Sequence, residues 1–276
     1  MSNLKQLIQA IKQKKELQNI SDNFVKEEIL NYFKKNPSNI LEKKLNPKAA
    51  EYKVIVKHVR ANLRIVYGLF RTSIGIEMRE HLVNHLVNNP KREEIIAEIL
   101  KTHSSTKERL PFYPELYQKI WKITRKPKKI IDLGSGINPF SILLMKLRKL
   151  KYYAYDLSKS EIALLNKFFK IINISGKAEV KNILHLSKLP AADVCFLFKM
   201  TDVLDKGKGH RATEAVIGNV PAKYVVVSFP TLTMSGKRMN FPRRKWIELM
   251  CKRLGYSYER LEFSSEIFYV IRKLKI

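Results

Sequence analysis

Cysteine is nearly absent from this chain. Two in 276 residues, Cys195 and Cys251, build no disulfide framework, and no Cys/His spacing suggests a metal site, so a reducing compartment, the cytoplasm, is expected. Long apolar runs are missing as well, and none approaches the length of a membrane span. The basic, amphipathic opening MSNLKQLIQAIKQKK lacks the uninterrupted apolar core of a signal peptide. It reads as a packed surface helix rather than a transit peptide or a membrane-surface helix. Acidic residues are the third shortage: 25 Asp+Glu stand against 53 Lys+Arg, a formal charge of +28, with +12 on residues 1–126 and +16 on 127–276. Thermophilic surfaces usually balance Lys with Glu, and this one does not. A large positive excess spread over a folded chain points to a polyanion, and the usual one is nucleic acid.

Glycine is also sparse, at 10 residues, yet two of them fall close together in Lys128–Ser141, KKIIDLGSGINPFS. This stretch reads as a strand over 129–133, a glycine turn over 134–137, and a helix start in which Asn138 caps and Pro139 takes the first turn. Twenty residues after Gly136, a second short apolar run, Tyr152–Tyr155, ends in Asp156. Such a βαβ unit holds a nucleoside: the glycines let the backbone approach the ligand, and the acidic residue takes the ribose hydroxyls. A dinucleotide fingerprint wants a third glycine, and Pro139 stands in its place. The turn therefore resembles that of S-adenosylmethionine (AdoMet) methyltransferases, whose ligand has no pyrophosphate to cradle. NAD-type binding and an ordinary tight βα turn are the alternatives.

Residues 1–126 read as helical. Leu4, Leu7, Ile8 and Ile11 repeat at helical spacing, a second pattern covers 22–35, and a third carries Tyr52, Ile55, Val59 and Leu63. A fourth opens at Asn89-Pro90 and bears Ile95, Ile96, Ile99 and Leu100. Asn-Pro pairs mark the breaks, because the residue before proline avoids helical angles. Residues 127–276 alternate strand and helix, with strands expected near 129–133, 151–155, 178–182, 193–198, 223–229, 258–263 and 266–273. Ser158-Lys159-Ser160-Glu161 is a capping box, and Ser105 with Glu108 is a second. The last two strands are close enough to pair antiparallel. The expected fold is α/β, a Rossmann-like, seven-stranded doubly wound sheet over 127–276, preceded by a helical, basic, RNA-binding domain over 1–126.

Three further segments carry signal: HSSTKERLP at 103–111, FLFKM at 196–200, and VVVSFPTLTMSGKRMNF at 225–241. With DLGSGINP, YAYDLSKSEIALL and the closing EIFYVI, their order and spacing resemble the 16S ribosomal RNA (guanine-N7) methyltransferases that confer aminoglycoside resistance. The likeness runs from about His103 to the C-terminus. Residues 1–100 share only a helical, basic character with that family.

That resemblance implies AdoMet as cofactor. His103, Thr106 and Arg109 would hold its methionine end, Arg109 gripping the carboxylate in bidentate fashion. Gly134 and Gly136 would line the turn beneath it, Asp156 would accept the ribose hydroxyls, and Asn182 would meet the adenine amine where relatives often place an acid. Lys199 and Met200 would face the methyl group and target base, with Ser228, Phe229 and Pro230 as the far wall and Phe229 able to stack on the base. Lys237 and Arg238 would touch RNA, and the Arg243-Arg244 cluster is a further phosphate candidate. No metal is implied. The partner would be RNA, specifically 16S-type ribosomal RNA of the small subunit near the decoding site, met by a monomer. Guanine N7 is an unprotonated lone pair, so its methylation needs positioning rather than a general base. Another RNA such as transfer RNA, a non-catalytic ribosome-assembly factor of the same fold, and a small-molecule methyltransferase are the rival readings.

Overall fold

The computed structural model describes residues 3–273 apart from 44, 68–74, 88–92, 186–187, 206–208 and 234. The chain forms two compact units, Met1–Phe70 with Leu157–Lys159, and Arg71–Asp156 with Ser160–Ile276. The first holds helices α1 (Asn3–Lys12), α2 (Asp22–Lys35) and α3 (Ala50–Tyr67). Their apolar stripes meet: Leu7, Ile11, Phe24, Val25, Ile29, Ile55, Val59 and Leu63 are all buried in one core. α2 stops at Lys35 because Asn36 precedes Pro37 and leaves helical angles, at φ −134° and ψ 79°.

The second unit begins with α4 (Ile76–His85), α5 (Glu93–Lys101), α6 (Ser104–Arg109) and α7 (Tyr113–Thr124). The sequence placed these with the N-terminal helices, in a domain reaching residue 126. The division instead falls near residue 70, because Val83, Leu86, Ile96, Ile99, Leu100, Leu116 and Ile120 share a core with Ile130 and Phe196 of the sheet. Helical periodicity shows that a helix has an apolar face, but not what the face packs against. The opening expected for α5 at Asn89-Pro90 lies outside the described residues.

Seven strands follow: β1 (Lys129–Leu133), β2 (Lys151–Asp156), β3 (Ser175–Val180), β4 (Ala192–Phe198), β5 (Ala222–Pro230), β6 (Ser257–Glu262) and β7 (Glu266–Arg272). They lie in the order β3-β2-β1-β4-β5-β7-β6, with β7 antiparallel to both β5 and β6. This is the doubly wound sheet that the sequence implied, but the reversed strand expected at the edge is β7, which lies between β5 and β6, one place in from the edge. Helices α8 (Lys159–Ile171), α9 (Thr201–Asp205), α10 (Arg211–Asn219) and α11 (Lys245–Arg253) complete the unit. Strand residues alternate between two cores, as a period of two requires. Ile130, Phe196, Phe198, Val226 and Phe268 share one core with Leu116 of α7 and Phe168 of α8, and Ile131, Leu133, Leu197, Val227 and Phe229 share the other with Ile217 of α10 and Ile247 of α11.

β3 starts three residues before its expected position. Its first three residues, Ser175, Gly176 and Lys177, are exposed at the sheet edge and carry no apolar signature. Gly176 has φ +125°, and a Cβ there would collide with the Tyr152 carbonyl, so the strand's closest approach to β2 needs glycine. Among the described residues, no helix is long and apolar enough to cross a membrane.

Candidate functional site

The order reversal between β1 and β4 opens a crevice at their carboxyl ends, the usual ligand position in an open α/β sheet. The glycine turn after β1 forms its floor. Gly134 and Gly136 have φ +67° and +47°, and the Gly134 and Ser135 N–H groups both donate to Tyr155 O, at 2.8 and 3.0 Å. The Gly136 N–H donates to Asp156 Oδ2 at 2.9 Å, which ties the end of β2 to the turn. A Cβ at Gly134 would run into the Met200 side chain, and one at Gly136 would lie 3.6 Å from His103 Nε2. Segments more than thirty residues from the turn on either side, at His103 and at Met200, therefore converge on it.

The expected helix after the turn is a 3-10 run, Asn138–Met145, and Asn138 does not cap it. Asn138 is buried; its Nδ2 donates to Asp132 Oδ2 at 2.8 Å, and its Oδ1 accepts from Tyr113 Oη at 2.7 Å. The Ser105 capping box also fails. α6 starts two residues earlier than that box would set, with His103 at the cap position, and the Thr106 hydroxyl lies 3.1 Å from His103 O and within reach of Leu100 O. Thr106 thus braces the helix that carries Arg109. The box at Ser158 is placed correctly, since α8 begins at Lys159, and its Glu161 is buried and accepts from Arg79 Nη1 at 2.9 Å.

Arg109 is the centre of the site. It is 1% exposed, and its Nε bonds both carboxylate oxygens of Glu266, at 3.0 and 2.9 Å. Its guanidinium carbon lies 4.8 Å from the Phe198 ring centre. Burial works against the charge, but the Glu266 carboxylate outweighs it and holds the guanidinium above its ordinary pKa. Nη2 is buried and has no hydrogen-bond partner among the described residues. A buried cationic donor left unpaired is costly, and an anion reaching it would remove that cost.

Glu266 joins three elements, accepting from Arg109 and from Ser228 Oγ and lying 3.6 Å from Lys199 Nζ. The Lys199 backbone, at φ +54°, donates to Ser228 Oγ at 3.0 Å, and its ammonium pairs with Glu108. Two cations and two carboxylates thus neutralise one another, with only Arg109 Nη2 spare. Beneath them Asp132 accepts from Tyr152 Oη at 2.6 Å and from Asn138. Burial raises the Asp132 carboxyl from 3.8 to about 6. The folded protein therefore binds a proton that the unfolded chain releases, and this group's stabilisation is lost as pH rises through about 6. Relative to Asp132→Asn, the native protein gains about 1 kcal/mol between pH 7 and pH 5. Denaturant unfolding at the two values checks this, and a gain on raising the pH would contradict it.

Asp156, His103, Gly134, Gly136 and Met200 meet at the glycine turn, and Arg109, Lys199 and Ser228 meet at Glu266. Asn182 Oδ1 accepts the Leu184 N–H at 3.1 Å. Phe229 departs from expectation. Its ring is 1% exposed on the opposite face from Ser228, edge-on to Trp246 and Tyr269, so it is packed in the core and presents no face to a base. Pro230 is half-buried beside it, and its carbonyl lies 3.4 Å from Arg244 Nη2. Lys237 and Arg238 are exposed on a short hairpin closed by the Leu232–Arg238 bridge. Arg243 is engaged by both Glu248 oxygens, at 2.7 and 2.5 Å, and Arg244 Nη1 donates to Phe241 O and Pro242 O. These two arginines serve the loop's own structure. Glu266 and Glu108 were missed as site residues: one opens an apolar strand, and the other was absorbed into a capping box. Among the described residues no cluster of His, Cys, Asp or Glu could hold a metal ion.

The sheet order and the glycine turn closed by Asp156 define a Rossmann-like methyltransferase fold. More particularly, residues 37–270 match the family model described as Ribosomal RNA methyltransferase (FmrO), and the chain belongs to that family. A 16S rRNA (guanine(1405)-N(7))-methyltransferase of Proteus mirabilis is 27% identical over 240 residues, covering 80% of this chain and 85% of that protein. One of the same description from Micromonospora echinospora is 28% identical over 230 residues, covering 79% and 82%. Among solved structures, the 16S rRNA methyltransferase RmtF in complex with S-adenosyl-L-homocysteine has a TM-score of 0.79 at 21% identity, covering 99% of each chain. The 16S rRNA methylase RmtB has a TM-score of 0.76 at 18% identity, covering 99% of this chain and 100% of that one.

Proposed function

We propose that this chain methylates guanine N7 in 16S-type ribosomal RNA of the small subunit, near the decoding site, with AdoMet as donor. The observation that carries the reading is the unpartnered, buried Nη2 of Arg109 beside a glycine turn closed by Asp156, in a chain of the ribosomal RNA methyltransferase family. The donor set suits AdoMet: Arg109 for the carboxylate, Asp156 for the ribose hydroxyls, and glycines where a Cβ would obstruct. Bound there, AdoMet supplies an electrophilic methyl group. The protein's work is alignment, because N7 carries no proton to remove. Lys199 fits that account: its ammonium is committed to Glu108 and Glu266, so it shapes the crevice instead of acting as a free base.

RNA docking falls to exposed cations. Lys237 and Arg238 are the candidates beside the crevice. In the first unit a groove of about 710 Å³ is lined by Lys14, Lys53 and Lys57, which support an RNA-binding role there, while Arg60, bonded to Ala10 O and Ile11 O, and Arg64, paired with Glu16, are engaged internally. Arg243 and Arg244 are withdrawn from the docking set by their internal bonds. The protein acts as a monomer in the cytoplasm, where ribosomes are assembled. Lys237→Ala combined with Arg238→Ala weakens small-subunit binding, flattens the slope of log affinity against log salt by about 1–2, and leaves AdoMet affinity unchanged. Filter binding across a salt series, with calorimetric AdoMet titration, tests this. An unchanged slope would remove both residues from the phosphate contacts.

A further inference from the structure

The loop leaving β5 carries an aromatic side chain that nothing in the site above uses. Phe241 is 85% exposed, whereas Phe140, Phe168, Phe196, Phe229 and Phe268 are all buried. Its backbone is nevertheless braced. Arg244 Nη1 donates to Phe241 O at 3.0 Å and to Pro242 O at 3.1 Å, while the Arg244 guanidinium lies 5.3 Å from the Phe229 ring centre. Pro242 restricts the residue before it to extended angles. The ring is thus held out from an anchored loop, and the buried Phe229 serves that anchor.

The surroundings select what the ring meets. Lys237, Arg238, Arg243 and Lys245 are exposed within four residues of it in the chain, and Glu248 neutralises only Arg243 among them. An apolar protein face laid on Phe241 would strip water from these cations and return nothing to them. Single-stranded nucleic acid answers both demands, with phosphates for the cations and a π-face for the ring. Stacking requires a base that is unpaired or turned out of its helix, the condition that modification of a base inside a duplex creates.

We propose that Phe241 stacks on such a base of the RNA substrate, with Lys237, Arg238 and Lys245 holding the adjoining phosphates. This rests on the methyl-transfer reading above and adds the contact that holds the RNA distorted. Phe241→Ala, Phe241→Leu and Phe241→Trp test it, each assayed for label transfer from AdoMet to whichever RNA accepts it, and for AdoMet affinity by calorimetry. AdoMet affinity stays near that of the native protein in all three. Transfer, read as kcat/KM, falls about ten- to hundredfold in the Ala and Leu variants and returns in Trp, since stacking needs a ring face and not apolar bulk. Native transfer rates in the Ala variant, or rescue by Leu equal to that by Trp, would overturn the stacking while the methyl-transfer reading stands. Loss of AdoMet affinity in the Ala variant would overturn it too, by making Phe241 a support of the cofactor site. If the native protein labels no RNA, the methyl-transfer reading fails and the stacking falls with it.

Discussion

Glu266→Ala melts roughly 10 °C below the native protein and loses methyl transfer. Glu266 is fully buried and is the shared partner of Arg109, Ser228 and Lys199. Removing it leaves the Arg109 guanidinium in the interior with no carboxylate, and breaking a buried pair in this way costs about 3–5 kcal/mol. For a unit of this size, that loss corresponds to a melting shift on the order of 10 °C. Glu266→Gln does not rescue. Its amide can keep the Ser228 bond, but it turns a neutral group toward Arg109 and leaves the charge uncompensated. The effect on activity goes beyond stability, because Glu266 fixes the direction in which Arg109 Nη2 faces. Thermal unfolding followed by circular dichroism is the measurement. A native melting temperature in both variants would mean that the cluster does not hold these elements together.

The second large effect concerns the cofactor seat. Arg109→Lys lowers AdoMet affinity about ten- to hundredfold, the span of a charge-assisted hydrogen bond to a carboxylate. Lysine keeps the positive charge opposite Glu266, so the fold survives, but it has no planar fork and cannot bond Glu266 and a second anion with separate nitrogens. Asp156→Ala weakens AdoMet comparably by a different route, losing both the ribose acceptor and the bond that ties Gly136 to the end of β2. Calorimetry with AdoMet on folded variants separates the two from global damage. Unchanged affinity in both would remove AdoMet from this crevice.

Part of this site was legible in the sequence because its signals are local. The strand, glycine turn and Asp156 lie within thirty residues, and the strands of the sheet interior are short apolar runs bounded by turns. The cluster was not legible because its bonds are long in sequence: Arg109 meets Glu266 across 157 positions and Lys199 meets Glu108 across 91. Nothing in local spacing marks a glutamate at the head of an apolar strand as the counter-ion of an arginine on α6. Asn138 shows the same limit from the other side. Its place before Pro139 signals a helix cap, yet tertiary bonds to Asp132 and Tyr113 outbid that local use. The sequence pointed to Phe229, near the end of β5, as the ring for a base, and only packing shows that this ring is buried while Phe241, in the loop beyond the strand, is exposed.

The account is tested most directly by incubating the protein with methyl-labelled AdoMet and, separately, small ribosomal subunits, free ribosomal RNA and transfer RNA, then digesting each RNA and identifying the labelled nucleoside. Label recovered as 7-methylguanosine from the small subunit is the predicted result. Label on another atom or on transfer RNA would contradict the proposed target, and AdoMet binding with no label on any RNA would contradict the enzymatic reading itself.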